Sequence, residues 1–169
     1  MKSPQVNDGN SKKFKPKSWL EVEVTAKLDK VPSANKAEAF HDSVTVSWNI
    51  IFKGQDRKSY WIKKSVQHVN VPSDEETVFS IYLSPNTLKR ITGKDGGGKR
   101  DLEAVGGDIS VNGVRAGYFK FGKFGNDWWN AEAPKSLTVT QNYPVLSKDE
   151  TPFELFWYDR YAEIKPKDR

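Results

Sequence analysis

The sequence predicts an all-β protein, a two-sheet β-sandwich carrying one short helix. Three observations lead there: apolar and polar residues alternate strictly in several separate runs, turn-forming residues punctuate those runs at regular spacing, and a single short segment carries helix-capping chemistry. No strand–helix–strand alternation of the kind that builds a parallel sheet is present, and no internal repeat.

The first strand begins where the polar N-terminus ends. Leu20, Val22, Val24, Ala26 and Leu28 alternate with Glu21, Glu23, Thr25 and Lys27, the period of a strand with one buried face. After Pro32, Ser33 and Asn35 the pattern returns as Val44, Val46, Trp48, Ile50 and Phe52, with Trp48 the candidate core aromatic. Tyr60 to Val71 is strand-like but changes apolar parity between Val66 and Val69, which predicts a bulge or a bend into a second sheet. Val78 to Leu83 follows as a short strand. Ser84 can cap a helix, Pro85 suits its first position and Gly93 its end, so a helix of about two turns is expected between them. Lys94 to Arg100 is a glycine-rich loop, Leu102 to Val111 a strand, and Asn112-Gly113 a hairpin turn into Val114 to Phe121. Ser136 to Gln141 and Phe153 to Ile164 are the expected closing strands, for about eight in all.

The 169 residues suffice for one domain with a genuine core. Residues 1–17 read as a flexible basic tail, 18–165 as the sandwich and 166–169 as a short basic tail. Charge supports the division. The net +5 is confined to the ends: residues 1–17 carry five Lys against Asp8, and residues 165–169 carry three cations against Asp168. The remaining 19 cations and 20 anions of the body leave it at −1, so the basic face that nucleic acid requires is missing and that partner is disfavoured. Cysteine is absent, which rules out disulfides and thiol chemistry. No stretch is apolar enough for a transmembrane helix.

The motifs point away from catalysis. Gly93-Lys-Asp-Gly-Gly-Gly-Lys99-Arg100 follows the spacing of a phosphate-binding loop but places Arg100 where the magnesium-binding hydroxyl belongs, and it follows a helix instead of opening one. His41 and His68 have no acidic residue at metal-ligand spacing, and Asp74-Glu75-Glu76 and Asp149-Glu150 sit beside Pro72 and Pro152 as turn carboxylates expected to be solvated. No metal, cofactor or enzymatic activity is therefore expected. Two aromatic clusters are the candidate contact sites. Tyr118, Phe124, Trp128 and Trp129 interleave with basic residues; either Tyr118 is a strand residue with Phe119 and Phe121 while Trp128 and Trp129 plug one end of the sandwich, or the cluster presents an exposed surface to a glycan or a protein. The run from Phe153 to Tyr161 is aromatic on both parities, Phe153, Leu155 and Trp157 on one face and Phe156 and Tyr158 on the other. A strand of that kind lies centrally, or shares its second face with another subunit through Phe156, Tyr158 and Tyr161.

With Ser18-Trp-Leu-Glu-Val-Glu-Val, Val46-Ser-Trp-Asn-Ile-Ile-Phe52 and Asn142-Tyr-Pro-Val-Leu through Phe153-Glu-Leu-Phe-Trp-Tyr158 in view, the chain resembles immunoglobulin-like proteins encoded with type IV pilus genes in a mucin-degrading gut bacterium. Those proteins are similar to domains associated with archaeal surface filaments. The resemblance implies an immunoglobulin-like sandwich outside the cytoplasm, at the periplasm, outer membrane or cell surface, with an export leader not contained in this sequence. It implies a non-enzymatic part in a pilus-related or other surface assembly, with surface proteins or further copies of the chain as partners. It brings no catalytic residues, and the paired Cys of antibody domains is missing. A carbohydrate-binding module using exposed aromatics is the alternative, and a nucleic-acid-binding domain a weaker one.

Overall fold

Two β-sheets face each other across an apolar interior, each built from strands whose alternation was visible in the sequence. The computed structural model describes residues 1–2, 16–29, 40–95 and 98–167. The larger sheet has five strands in the order β8 (Val114–Gly122), β7 (Leu102–Val111), β3 (Val44–Lys53), β4 (Ser59–His68), β9 (Leu137–Val139). All its neighbours are antiparallel except β4 and β9, which run parallel. The smaller sheet pairs β1 (Leu20–Lys27) antiparallel with β6 (Glu76–Leu83). A third, minimal ribbon joins β2 (Phe40–His41) to β5 (Val71–Pro72). The expected parity change after Val66 marks the end of β4: Asn70 takes φ of 52° and the chain turns out of the larger sheet into that ribbon. The result is the all-β sandwich with one short helix that the sequence predicts.

Register explains the core. Val22 opposes Ile81 and Val24 opposes Phe79 on the small sheet, while Val46 lies between Val66 and Ile109, and Ile50 between Ile62 and Val105, on the large one. These side chains, with Trp48 and Phe52, share one buried cluster. The helix α1 (Pro85–Thr92) adds Leu88 and Ile91 to it; Ser84 Oγ accepts from Thr87 N–H at 3.2 Å, and Gly93 closes the helix at φ 72°. The Asn112-Gly113 hairpin has both central residues at positive φ, as its strand twist requires.

Two expectations need correction. Phe153 to Ile164 is not a strand: residues 151–160 are turns and a short 3₁₀ segment, fixed by Phe156 N–H on the Phe153 carbonyl (3.0 Å) and Arg160 N–H on the Trp157 carbonyl (3.0 Å). An unalternating run of large apolar residues after Pro152 has no one-sided strand surface to supply, so local turn bonds win. Asp149-Glu150 is not a freely solvated pair, because Glu150 takes Lys64 and Lys167, each at 2.7 Å. The tail expected over 1–17 falls mostly outside the described residues, but Met1 and Trp19 exchange backbone hydrogen bonds of 3.0 and 2.7 Å.

Both sheets are also covered on their outer faces. On the small sheet, Tyr82 and Ser80 are buried beneath the C-terminal segment, where Phe153 stacks on Tyr82 at 5.7 Å and meets Trp19 edge-on at 5.3 Å. That segment continues as a seam between the sheets: Ala162 N–H binds the Val78 carbonyl (2.9 Å) and Lys165 N–H the Gln67 carbonyl (2.9 Å). One side of the sandwich is thereby sealed. The opposite side, between the edges of β1 and β8, is open.

Candidate functional site

The outer face of the large sheet decides the fate of the first aromatic cluster. Ile51, Trp61 and Ala104 point outward there and form a second buried cluster with Trp129. Trp129 lies over Gly106, where any side chain would collide with its ring, and its indole N–H donates to Asp108 Oδ2 at 3.0 Å. Trp128 packs between Trp61 (5.3 Å) and Phe124 (5.5 Å). Trp61 in turn donates to Asn49 Oδ1 at 3.0 Å, so its polar atom under this cover is paired within the protein, whereas the buried Trp128 indole N–H has no hydrogen-bond partner among the described residues. Of the four residues singled out, Trp129 is 5% exposed, Phe124 and Trp128 are half-buried, and Tyr118 is 49% exposed beside Arg115. They come together as a cover on a sheet face and not as an end plug. Tyr118 is the ring of the four that the structure leaves available for contact.

The second cluster behaves in the opposite way. Thr151 anchors its base, donating to the Lys148 carbonyl (2.7 Å) and accepting from Phe153 N–H (3.1 Å), and the Lys148 ammonium donates to the Glu154 carbonyl (2.9 Å). Burial pushes the Lys148 pKa below its usual range, against the pull of Glu21 and Glu154. From this base Leu155, Phe156, Trp157 and Tyr158 project into solvent, exposed by 83, 44, 59 and 58%. Trp157 holds φ of 51°, a left-handed conformation that a bulky side chain adopts only when its surroundings enforce it. Phe156 and Tyr158 are thus exposed as a contact surface requires. Tyr161 instead faces inward, donating to Glu21 (2.8 Å) and Glu23 (2.7 Å), and burial followed by these two carboxylates pushes its phenol pKa up. Sequence reasoning missed Leu155 and Trp157, which it assigned to a buried strand face.

A groove of about 330 Å³ lies close to this projection, on the open side of the sandwich. Val22 and Val24 of β1 form one wall and Phe119 and Phe121 of β8 the other, with Trp48 at the floor. Glu21 and Glu23 border the groove and bind Tyr161 and Arg160 at the root of the projection, so projection and groove adjoin. Lys99 and Lys120 line its opposite rim. No single run of residues signals this groove; it arises because two edge strands from different sheets are left without a seam.

The remaining polar groups are held mainly by bonds within the protein, although His41 Nδ1 and His68 Nε2 are buried without a hydrogen-bond partner among the described residues. His41 Nε2 lies 3.1 Å from the Asp29 carbonyl, and buried His68 places Nδ1 3.3 Å from the Ala162 carbonyl; burial lowers the His68 pKa to about 4. The pKa of Glu150 falls to about 2, since its bonds to Lys167, Lys64 and the Ser147 N–H outweigh a burial effect acting the other way. Among the described residues no group of three or more His, Cys, Asp or Glu is placed to hold a metal, and no helix is long and apolar enough to cross a membrane.

Sandwich, covered faces and a bare aromatic projection together define a class of β-sandwich protein with large apolar side chains exposed at Leu155 to Tyr158. Comparison with known proteins gives the family. A family model matches residues 1–168, and the chain belongs to that family. A crystal structure of a protein from Akkermansia muciniphila is similar throughout: 34% identity, a TM-score of 0.87, and coverage of 99% of this chain and 88% of that one. No curated protein matches the sequence.

Proposed function

We propose that this protein is a non-enzymatic interaction subunit of an extracytoplasmic, pilus-related surface assembly, and that Leu155 to Tyr158 make its principal contact. The observation that carries this reading is the exposure of four consecutive large apolar side chains on a hydrogen-bonded base, in a protein whose other aromatic clusters are used as covers. Exposed apolar area of this kind is costly in water and rewarding at an interface, where Trp and Tyr anchors supply most of the binding energy. The family match and the similarity to the Akkermansia muciniphila protein support the resemblance to proteins of a mucin-degrading gut bacterium, and the surface location is the expectation that this resemblance carries. Absence of catalysis is supported by the use of both described histidines and of Glu150 in structural bonds.

The test is capture from the native cell envelope with tagged protein, comparing the wild type with Trp157→Gly. Surface or pilus components are expected with the wild type, reduced at least about tenfold in the variant. Recovery of ribosomal or RNA-bound partners, or equal recovery by both proteins, overturns the proposal.

A further inference from the structure

We infer that the protein forms a two-fold dimer in which the Leu155–Tyr158 projection of each copy seats in the groove between β1 and β8 of the other. The inference rests on the contact role just proposed and identifies its first occupant as a second copy of this chain. Three observations converge on it.

The first is continuity. A two-fold interface must use one self-complementary patch on both subunits, so knob and socket have to be neighbours on the same surface. Here Glu21 and Glu23 border the groove while holding Tyr161 and Arg160, the residues that follow the projection. The second is charge. Exposed Glu154 and Asp159 flank the projection and exposed Lys99 and Lys120 the β8 rim of the groove, so insertion brings opposite charges together along that rim in both copies, while Glu21 and Glu23 on the β1 rim are bonded by Tyr161 and Arg160. Arg160 does not oppose this, being paired with Glu23 at 3.0 Å.

The third is area. Each aromatic ring contributes roughly 150 to 250 Å² when fully buried, and more than half of the projection's side-chain surface is exposed. Two reciprocal insertions with their groove walls reach the order of 1,000 Å² that a specific interface needs.

The experiment is light scattering coupled to size exclusion over a range of protein concentrations. The wild type is expected to rise with concentration from 19.2 kDa towards twice that mass and to stop there. Trp157→Gly removes the central ring while suiting the positive φ, and is expected to weaken association at least about tenfold with its circular dichroism unchanged. Reversing the groove rim with Lys99→Glu and Lys120→Glu should weaken it similarly. Adding Glu154→Lys and Asp159→Lys to that pair should restore it, a rescue that a folding defect cannot produce. A mass fixed at 19.2 kDa, growth beyond the dimer, or failure of the rescue overturns the inference. Monomeric protein that still captures envelope partners through Trp157 would remove the dimer and leave the contact role standing; loss of capture with an intact dimer would do the reverse.

Discussion

Replacing two tryptophans, Trp129 and Trp157, should have opposite consequences although the side chain removed is the same. Trp129→Ala deletes a ring that is 5% exposed. At about 25 cal/mol per Å² the 150 to 250 Å² of such a ring correspond to roughly 4 to 6 kcal/mol. The surroundings relax partially into the cavity, and Asp108 loses the indole donor but keeps Arg115 at 2.7 Å. A loss of about 3 to 5 kcal/mol is therefore expected, in the range usual for Trp→Ala in a core. Trp157→Gly removes a ring that is 59% exposed, so little burial is forfeited. Relief of the backbone at φ 51° opposes the greater unfolded-state entropy of glycine, each about 1 kcal/mol, and the net change should stay within about 0.5 kcal/mol. Urea unfolding followed by far-ultraviolet circular dichroism reads both, with the midpoint moving and the slope unchanged. A Trp129→Ala cost below about 1 kcal/mol, or a Trp157→Gly cost above about 2 kcal/mol, would refute the division of aromatics into cover and contact.

Three further outcomes follow from the geometry. Burial holds His68 near 4, so the unfolded chain, titrating near 6.5, binds a proton that the folded protein refuses; this contribution is complete above pH 6.5 and disappears as pH falls towards 4. The loss is on the order of 3 kcal/mol and should be absent from the pH profile of His68→Gln; an identical profile would contradict it. Gly106→Ala places a methyl group against the Trp129 ring and 3.0 Å from Trp128 Nε1, and should cost about 1 to 3 kcal/mol with a red shift in tryptophan emission, whereas an unshifted spectrum would show that the ring does not rest there. Ser84→Ala should cost about 1 kcal/mol in thermal or urea unfolding through loss of the helix cap, and no measurable cost would mean the cap is not formed.

What the sequence disclosed and what it hid divide along a physical line. Features fixed by local rules were legible. The alternation of Leu20 to Leu28 and Val44 to Phe52, the Ser84 and Gly93 caps and the Asn112-Gly113 turn each need only a few neighbouring residues, and each stands where expected. Features that need a remote partner were not. Phe153 to Tyr158 is apolar without alternation, a pattern that serves a buried strand and a bare projection equally well, and no propensity rule places Trp157 at positive φ. Trp129 looked like a possible contact residue because its burial depends on Gly106, 23 residues earlier and across a hairpin. The groove was invisible for the same reason: its walls belong to strands nearly a hundred residues apart.

The central claim is that the projection at Leu155 to Tyr158 meets other protein at the cell surface. Replacing Trp157 with a photo-crosslinking phenylalanine analogue and irradiating intact cells tests it most directly, with the same analogue at exposed Lys63 as the control position. Adducts with a second copy or with surface-assembly proteins, formed at Trp157 and not at Lys63, are the predicted result. Adducts with cytoplasmic proteins, or none above the control, would contradict the account.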